Sequence, residues 1–511
     1  METKERVMEI KVPSVGQIYK QNYCADKPAI LFKDEVVTYS QLDDNVIAFA
    51  NYFKSKGIVK GDKVILNTIN SPEFTYAYLG VVRNGAIVVP INPMLTLEEM
   101  KFIASDSSAN YMLIHEGVMM KQGLTAESLS EALGVTVFVL NEALIAEAKS
   151  AEGEDFDLIN DSQEVSTFLY TSGTTGVPKA AMLTHANLLE NARQCVIGLG
   201  CEDYDVFMCV LPMFHVFAFT TCQLQPFYVG ATVDIVEAFS PKLVISELLE
   251  KQITLFLGVP AMYMVLIEAG KNNIKFPKLR RAVSGGSALP VEVYEQTWNV
   301  INIPVIEGYG LTESSPASSF NPHDGVQKPG SIGKILDGID FIIADPDDNE
   351  VPVGEVGELL LRGPNVMLGY YNRPEETEAA LRNGWLHTGD LAKIDEEDYI
   401  YIVDRKKDMI NVAGLNVYPR EIEEVLYKHP QIKDAAVIGV DNKLRGEIVV
   451  AYIVLKEGEE VQAKEVLGWL KERLAAYKIP KRIEVLEDLP RNNAGKILKR
   501  KLKEDIAAKN A

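Results

Sequence analysis

The densest group of chemically useful residues is Tyr170-Thr-Ser-Gly-Thr-Thr-Gly-Val-Pro-Lys179. Gly173 and Gly176 let backbone N–H groups approach an anion closely. Thr171, Ser172, Thr174 and Thr175 add hydroxyl donors, and Lys179 adds a positive charge. The combination suits a phosphate cradle; a flexible Gly/Ser/Thr loop is the plain alternative. It is not a Walker A loop, because Val177-Pro178 separates Gly176 from Lys179 and Ala180 follows the lysine. In Glu307-Gly-Tyr-Gly-Leu-Thr-Glu-Ser314, Tyr309 stands between Gly308 and Gly310 and offers an aromatic face for a purine. Glu313 is a hard oxygen ligand suited to magnesium. A strand and turn with ordinary polar residues would read the same way. Ser284-Gly-Gly-Ser-Ala-Leu-Pro290 places Gly285, Gly286 and Ser287 where a backbone can pass something flat, and a tight turn explains them equally well. Asp390 is a carboxylate with no basic neighbour in sequence, and a surface charge is its plain reading. Lys496, beside Gly495, is a flexible ammonium able to enter a closed site and neutralise charge. His215 lies among Phe214, Phe217 and Phe219; a lone histidine in an apolar stretch is usually a satisfied core residue. The other five histidines show no metal-ligand spacing and no Ser-His-Asp arrangement.

These residues need a large scaffold. The chain has 511 residues, 47% hydrophobic and 24% charged, with 36 Gly and 24 Pro. That composition excludes collagen-like, disordered and disulfide-framework proteins and suggests about two to four folding units. A formal charge of −21 repels nucleic acid and anionic lipid, so an anionic substrate needs a focused site. The segment from Lys471 to Glu504 runs against this trend, with eleven Lys or Arg and five Asp or Glu. For Lys499, Arg500, Lys501 and Lys503 a solvated basic helix is expected. Five scattered cysteines point to reduced thiols and a cytoplasmic protein, and METKERVMEI contains no apolar signal region. Val206 to Val233 carries no Asp, Glu, Lys or Arg, but Pro212, His215, Gln223, Gln225, Pro226 and Gly230 interrupt it. It reads as buried core or pocket wall rather than a transmembrane segment. Peripheral membrane contact stays open. Oligomeric state is not legible, so monomer and homodimer both stand.

Apolar runs at 64–67, 87–91, 135–140, 206–211, 232–236 and 255–257 alternate with helical patterns such as 73–83. This alternation predicts α/β layers with parallel sheet. After about Gly325, short strands and turn signals predict a small barrel-like β region. Beyond the charged run Asp404-Arg-Lys-Lys-Asp408 a second α/β pattern begins. The expected fold class is α/β: a large N-terminal domain of two α/β sheet layers plus the small β region, then a small mobile α+β C-terminal domain. The expected divisions are 1–403, a hinge at 404–408, and 409–511.

YTSGTTGVPK resembles the signature of the adenylate-forming superfamily, which includes acyl-CoA synthetases, firefly-type luciferases and the adenylation domains of peptide synthetases. LPMFHVFAF, SGGSALP, EGYGLTES, HTGD, DRKKDMINVAGLNVYPREIE and PRNNAGKILKR follow in the family's order, so the resemblance spans nearly the whole chain. It implies an ATP-dependent ligase that forms acyl-AMP and pyrophosphate, then acyl-CoA and AMP. The implied ATP site comprises Thr171, Ser172, Gly173, Thr174, Thr175, Gly176, Lys179, Gly286, Ser287, Glu307, Gly308, Tyr309, Gly310, Thr312, Asp390, Arg405 and Lys496. Lys496, Thr312 and Glu313 are the implied catalytic residues, with Thr171 and Glu313 near Mg2+. Phe214, His215, Phe219, Gly285 and Gly286 would line the acyl pocket. Gly414 and Asn416 would meet coenzyme A after rotation about Lys407. Gly308 replaces the Arg expected of malonate-specific members, which disfavours a dicarboxylate. The segment is most similar to bacterial medium- and long-chain fatty acid–CoA ligases. Aryl acids of the coumarate type, a carrier-protein thiol in place of coenzyme A, and a non-catalytic nucleotide- or acyl-binding protein remain alternatives.

Overall fold

The computed structural model describes residues 9–171, 177–442, 446–491 and 497–510, the last four by backbone alone. The apolar runs form the strands of two large sheets. One sheet orders seven strands as 369–370, 179–184, 165–171, 87–90, 63–67, 111–115 and 136–140. Its strands are parallel from Val165–Thr171 onward, and the two at the other edge are antiparallel. The second sheet orders nine strands as 334–335, 317–320, 305–310, 281–284, 255–258, 206–209, 232–235, 28–32 and 35–38. Its interior is parallel and its outer strands are antiparallel. Strands buried on both faces need continuous apolar sequence, which is why Leu255–Gly258 and Thr232–Ile235 are buried throughout.

The uncharged stretch from Val206 to Val233 folds as core. It divides into a strand, the short helix Val216–Ala218, the π-helical segment Phe219–Leu224 and the helix Gln225–Val229. Among the described residues no helix is long and apolar enough to cross a membrane.

One part of this core carries a pH-dependent cost. Asp234 is 1% exposed, its Oδ2 has no hydrogen-bond partner, and Oε2 of Glu247 on the helix Pro241–Glu250 is likewise unpartnered. Burial, with the Glu247 charge adding to it, pushes Asp234 up to about 7. The folded state thus retains a proton that the unfolded chain has released, and stability falls as pH rises from the ordinary carboxylate range through 7. Asp234→Asn is expected to raise Tm by roughly 2–4 °C at about pH 8.5, with the gain shrinking toward pH 5. An equal gain at both pH values, read by thermal unfolding, would contradict this assignment.

Beyond Gly325 the chain forms an antiparallel sheet of four strands, 340–344, 357–362, 386–394 and 400–405. The last strand continues through Asp404 and Arg405, so regular structure runs two residues into the segment 404–408. The C-terminal part packs the helices Pro419–Tyr427 and Ala463–Lys471 on one side of a five-stranded sheet. The helix Lys499–Asn510 is not simply solvated: Leu502 and Ile506 are buried, and Lys499 pairs with Glu423 at 2.7 Å. Leu502 and Ile506, four residues apart, share one face and pack with Ala436, Ile438, Val450 and Tyr452 of the sheet.

Candidate active site

The chemically suggestive residues collect at strand ends. Thr171 closes the strand Val165–Thr171 and Lys179 opens the antiparallel strand Lys179–Thr184, with Thr171 and Lys179 directly paired. Thr184 then caps the helix His185–Leu199 by accepting from Asn187 N at 3.1 Å, which sets where strand gives way to helix. Ser172, Gly173, Thr174, Thr175 and Gly176, between these strands, lie outside the described residues, as does Lys496. In the nine-stranded sheet, Gly285, Gly286 and Ser287 follow the strand Arg281–Ser284, and Glu307, Gly308, Tyr309 and Gly310 complete its parallel neighbour. Ligands of α/β sheets gather at such carboxyl ends. The turn Thr312–Ser314 packs against both strands, Val165–Thr171 and Lys179–Thr184.

Gly308 and Gly310 answer to packing. A Cβ at Gly308 would lie 2.5 Å from the Phe320 ring, and one at Gly310 would lie 1.9 Å from the Pro316 carbonyl oxygen. The strand Ala317–Phe320 folds back across them and admits no side chain. Tyr309 donates to Asp390 Oδ2 at 2.6 Å, which fixes the plane of its ring. Burial and the Asp390 carboxylate hold this phenol well above its ordinary pKa. Asp390 is 4% exposed and takes Arg405 Nε at 3.4 Å on its other oxygen. An aromatic face beside a buried carboxylate and a guanidinium is suited to a nucleoside: the ring for the base, the acid for the sugar hydroxyls.

Glu313 and Thr171 are hard oxygen donors. Glu313 accepts from Tyr370 Oη at 2.7 Å through Oε1, and its backbone carbonyl accepts from Met367 N at 2.9 Å. Among the described residues no group of three His, Cys, Asp or Glu could hold a metal by itself. One carboxylate and one hydroxyl fit Mg2+ that arrives with a nucleotide, because this ion takes few protein ligands and completes its shell with phosphate and water. Lys179 is nearly buried, 3.8 Å from Glu376 Oε1.

The surroundings of Gly285 are apolar. A Cβ on Gly285 would stand 3.0 Å from Phe217 Cζ, so the ring lies directly on the glycine. Phe214, His215 and Phe217 are half-buried, and His215 Nδ1 accepts from Phe217 N at 3.3 Å. Phe219 instead lies in the core, edge-on to Tyr78 with ring centroids 4.7 Å apart. Phe217 thus lies on the Gly285 backbone, while Phe219 is fully buried against Tyr78.

Residues from the C-terminal part close one side. Arg420 N donates to Asp404 Oδ2 at 2.9 Å, and Lys406 pairs with Glu358 at 2.9 Å while its N–H donates to Gly389 O. Burial pushes Glu307 up to about 7, opposed by Arg420. Lys407 is exposed. Gly414 and Asn416 are exposed at an open hairpin between Ile410–Val412 and Leu415–Val417, where a Cβ on Gly414 meets no atom within 4 Å.

Residues 19–371 match the AMP-binding enzyme family, and residues 421–496 match the AMP-binding enzyme C-terminal domain. The long-chain-fatty-acid–CoA ligase of Bacillus subtilis is 34% identical, over 94% of this chain and 92% of that protein. A feruloyl-CoA synthase of an Amycolatopsis species is 35% identical, over 91% of this chain and 92% of that protein. MatB from Rhodopseudomonas palustris is 29% identical in solved structures covering 96% of this chain and 98% of that one. Its ATP-bound form superposes with a TM-score of 0.91 and its apo form with 0.80.

Proposed function

The chain belongs to the AMP-binding enzymes, and from that premise we propose that it loads long-chain fatty acids onto coenzyme A. It is an AMP-forming acid–thiol ligase whose small-molecule substrates are ATP, a carboxylic acid and coenzyme A, with Mg2+ as cofactor. A carboxylate oxygen of the acid attacks the α-phosphorus of ATP and pyrophosphate leaves. The thiol sulfur of coenzyme A then attacks the acyl carbon and AMP leaves.

In this reading Tyr309 stacks on adenine while Asp390 and Arg405 take the ribose. Thr312 donates to the α-phosphate, and the loop from Thr171 to Lys179 holds the remaining phosphates. Glu313 and Thr171 would hold Mg2+, which would neutralise part of the charge that keeps the two anions apart. Lys496 enters for the first half-reaction to stabilise charge at the α-phosphate. The C-terminal domain, 409–511, then turns about Lys407 relative to 1–403, withdrawing Lys496 and presenting Gly414 and Asn416 to the thiol arm. The better fit to an ATP-bound relative supports reading the described arrangement as the adenylate-forming one. Five free cysteines, four of them buried, support a cytoplasmic location.

The observation that carries the substrate class is the Gly285 wall. Phe217 lies flat on it, Val259 borders Gly286, and the segment supplying Phe214 and Phe217 contains no charged residue from Val206 to Val233. An alkyl tail gains from such a surface, whereas a second carboxylate would be buried without a partner. The flat wall and the feruloyl-CoA synthase likeness favour an aryl acid as the second reading. Thioester formation with coenzyme A should give kcat/KM for palmitate at least about tenfold above ferulate, with malonate inactive. Ferulate exceeding palmitate would replace the fatty-acid reading with the aryl one.

A further inference from the structure

The segment Met367-Leu-Gly-Tyr-Tyr-Asn-Arg-Pro-Glu-Glu-Thr377 carries none of the residues first considered for chemistry, yet it borders the phosphate end of the site. Gly369–Tyr370 forms the edge strand of the seven-stranded sheet, with Tyr370 opposite Ala181. Leu368 N donates to Met182 O at 3.0 Å and Tyr371 N to Ala180 O at 2.9 Å. Successive side chains on a strand point to opposite faces. Tyr371 accordingly packs on Phe168, with ring centroids 4.7 Å apart, while Tyr370 turns toward the site.

Tyr370 is fixed from several directions. Its N–H donates to Thr377 Oγ1 at 2.9 Å. Gly369 has φ +145, and a Cβ there would lie 2.6 Å from Thr377 Cγ2, so the turn into the strand needs glycine. The phenol donates to Glu313 Oε1 at 2.7 Å, and the Lys179 ammonium lies 5.4 Å from the centroid of the same ring. One aromatic residue therefore meets both a carboxylate suited to a metal and a cation suited to phosphate, whose ammonium also lies 3.8 Å from Glu376 Oε1 of the same segment.

We infer that Tyr370 is a positioning residue: its phenol holds the Glu313 carboxylate in the metal-facing orientation. The inference rests on the ligase reading above. The backbone at Glu313 is held separately by Met367 N, so loss of the phenolic oxygen frees the carboxylate without undoing the turn. Groups that orient a metal's ligands typically change metal affinity by about 10- to 100-fold when removed.

The test compares wild type and Tyr370→Phe. Mn2+ is titrated by electron paramagnetic resonance into the complex with α,β-methylene-ATP, whose blocked bond prevents turnover. The Mn2+ Kd should rise about tenfold or more in the variant. Metal-free AMP should bind with unchanged affinity, and acid-dependent ATP–pyrophosphate exchange should recover toward wild type at high Mg2+. An unchanged Mn2+ Kd would overturn the inference, as would a parallel loss of AMP binding, which marks a general structural effect. Wild type that binds no metal with the nucleotide analogue would overturn the ligase reading itself.

Discussion

Lys496→Ala is expected to slow acyl-adenylate formation by about a thousandfold while leaving thioester formation from supplied palmitoyl-AMP within a fewfold of wild type. The first half-reaction drives a carboxylate onto a phosphoryl group that is itself anionic. Negative charge builds on the oxygens around the α-phosphorus, and a cation placed there stabilises the transition state more than the ground state. The net charge of −21 makes a local cation all the more necessary. The second half-reaction begins from a mixed anhydride whose leaving group is AMP, and it needs no ammonium at that point. Exchange of labelled pyrophosphate into ATP measures the first step, and single-turnover thioester formation from palmitoyl-AMP measures the second. Equal loss in both would contradict the role given to Lys496.

Gly414→Leu is expected to do the reverse. Here Gly414 sits at the tip of an open hairpin, and a Cβ on it would touch nothing within 4 Å. In the arrangement described above a larger side chain therefore has room, and pyrophosphate exchange should change by no more than a fewfold. After rotation the same position would border the thiol arm, where a leucine fills the passage. Thioester formation from palmitoyl-AMP should fall by at least about a hundredfold, since displacing a reacting group by an ångström costs on that order. The backbone adds a separate cost, because φ at Gly414 is +87 and a side chain in the left-handed region is strained. Gly414→Ala carries the same strain without the bulk and should retain most thioester formation. If leucine left the second step intact, Gly414 would not border the thiol path.

Much of this arrangement was legible in the residues themselves. Runs such as 64–67 and 255–257 are short, apolar and bounded by turns, and they became buried parallel strands because nothing else in the chain satisfies them. What stayed hidden depends on contacts distant in sequence. Phe217 and Phe219 are indistinguishable as sequence neighbours. The helical turn Val216–Ala218 and the π-helical segment after it direct one ring to Gly285 and the other to Tyr78. Gly308 and Gly310 read only as the flanks of Tyr309, and nothing in the sequence showed that a strand of the same chain folds back over the space beside both. Tyr370 was invisible as a partner of Glu313 because the two are 57 positions apart and meet only through an edge strand two residues long. Lys499 read as one of a solvated basic series, since its partner Glu423 lies on another helix.

The bond between acid and α-phosphorus can be followed atom by atom. With palmitate labelled by oxygen-18 in its carboxyl group, turnover in the presence of ATP, Mg2+ and coenzyme A should leave one labelled oxygen in each AMP released, and none in pyrophosphate. AMP without label, or label recovered in inorganic phosphate alongside ADP, would contradict an acyl-adenylate intermediate.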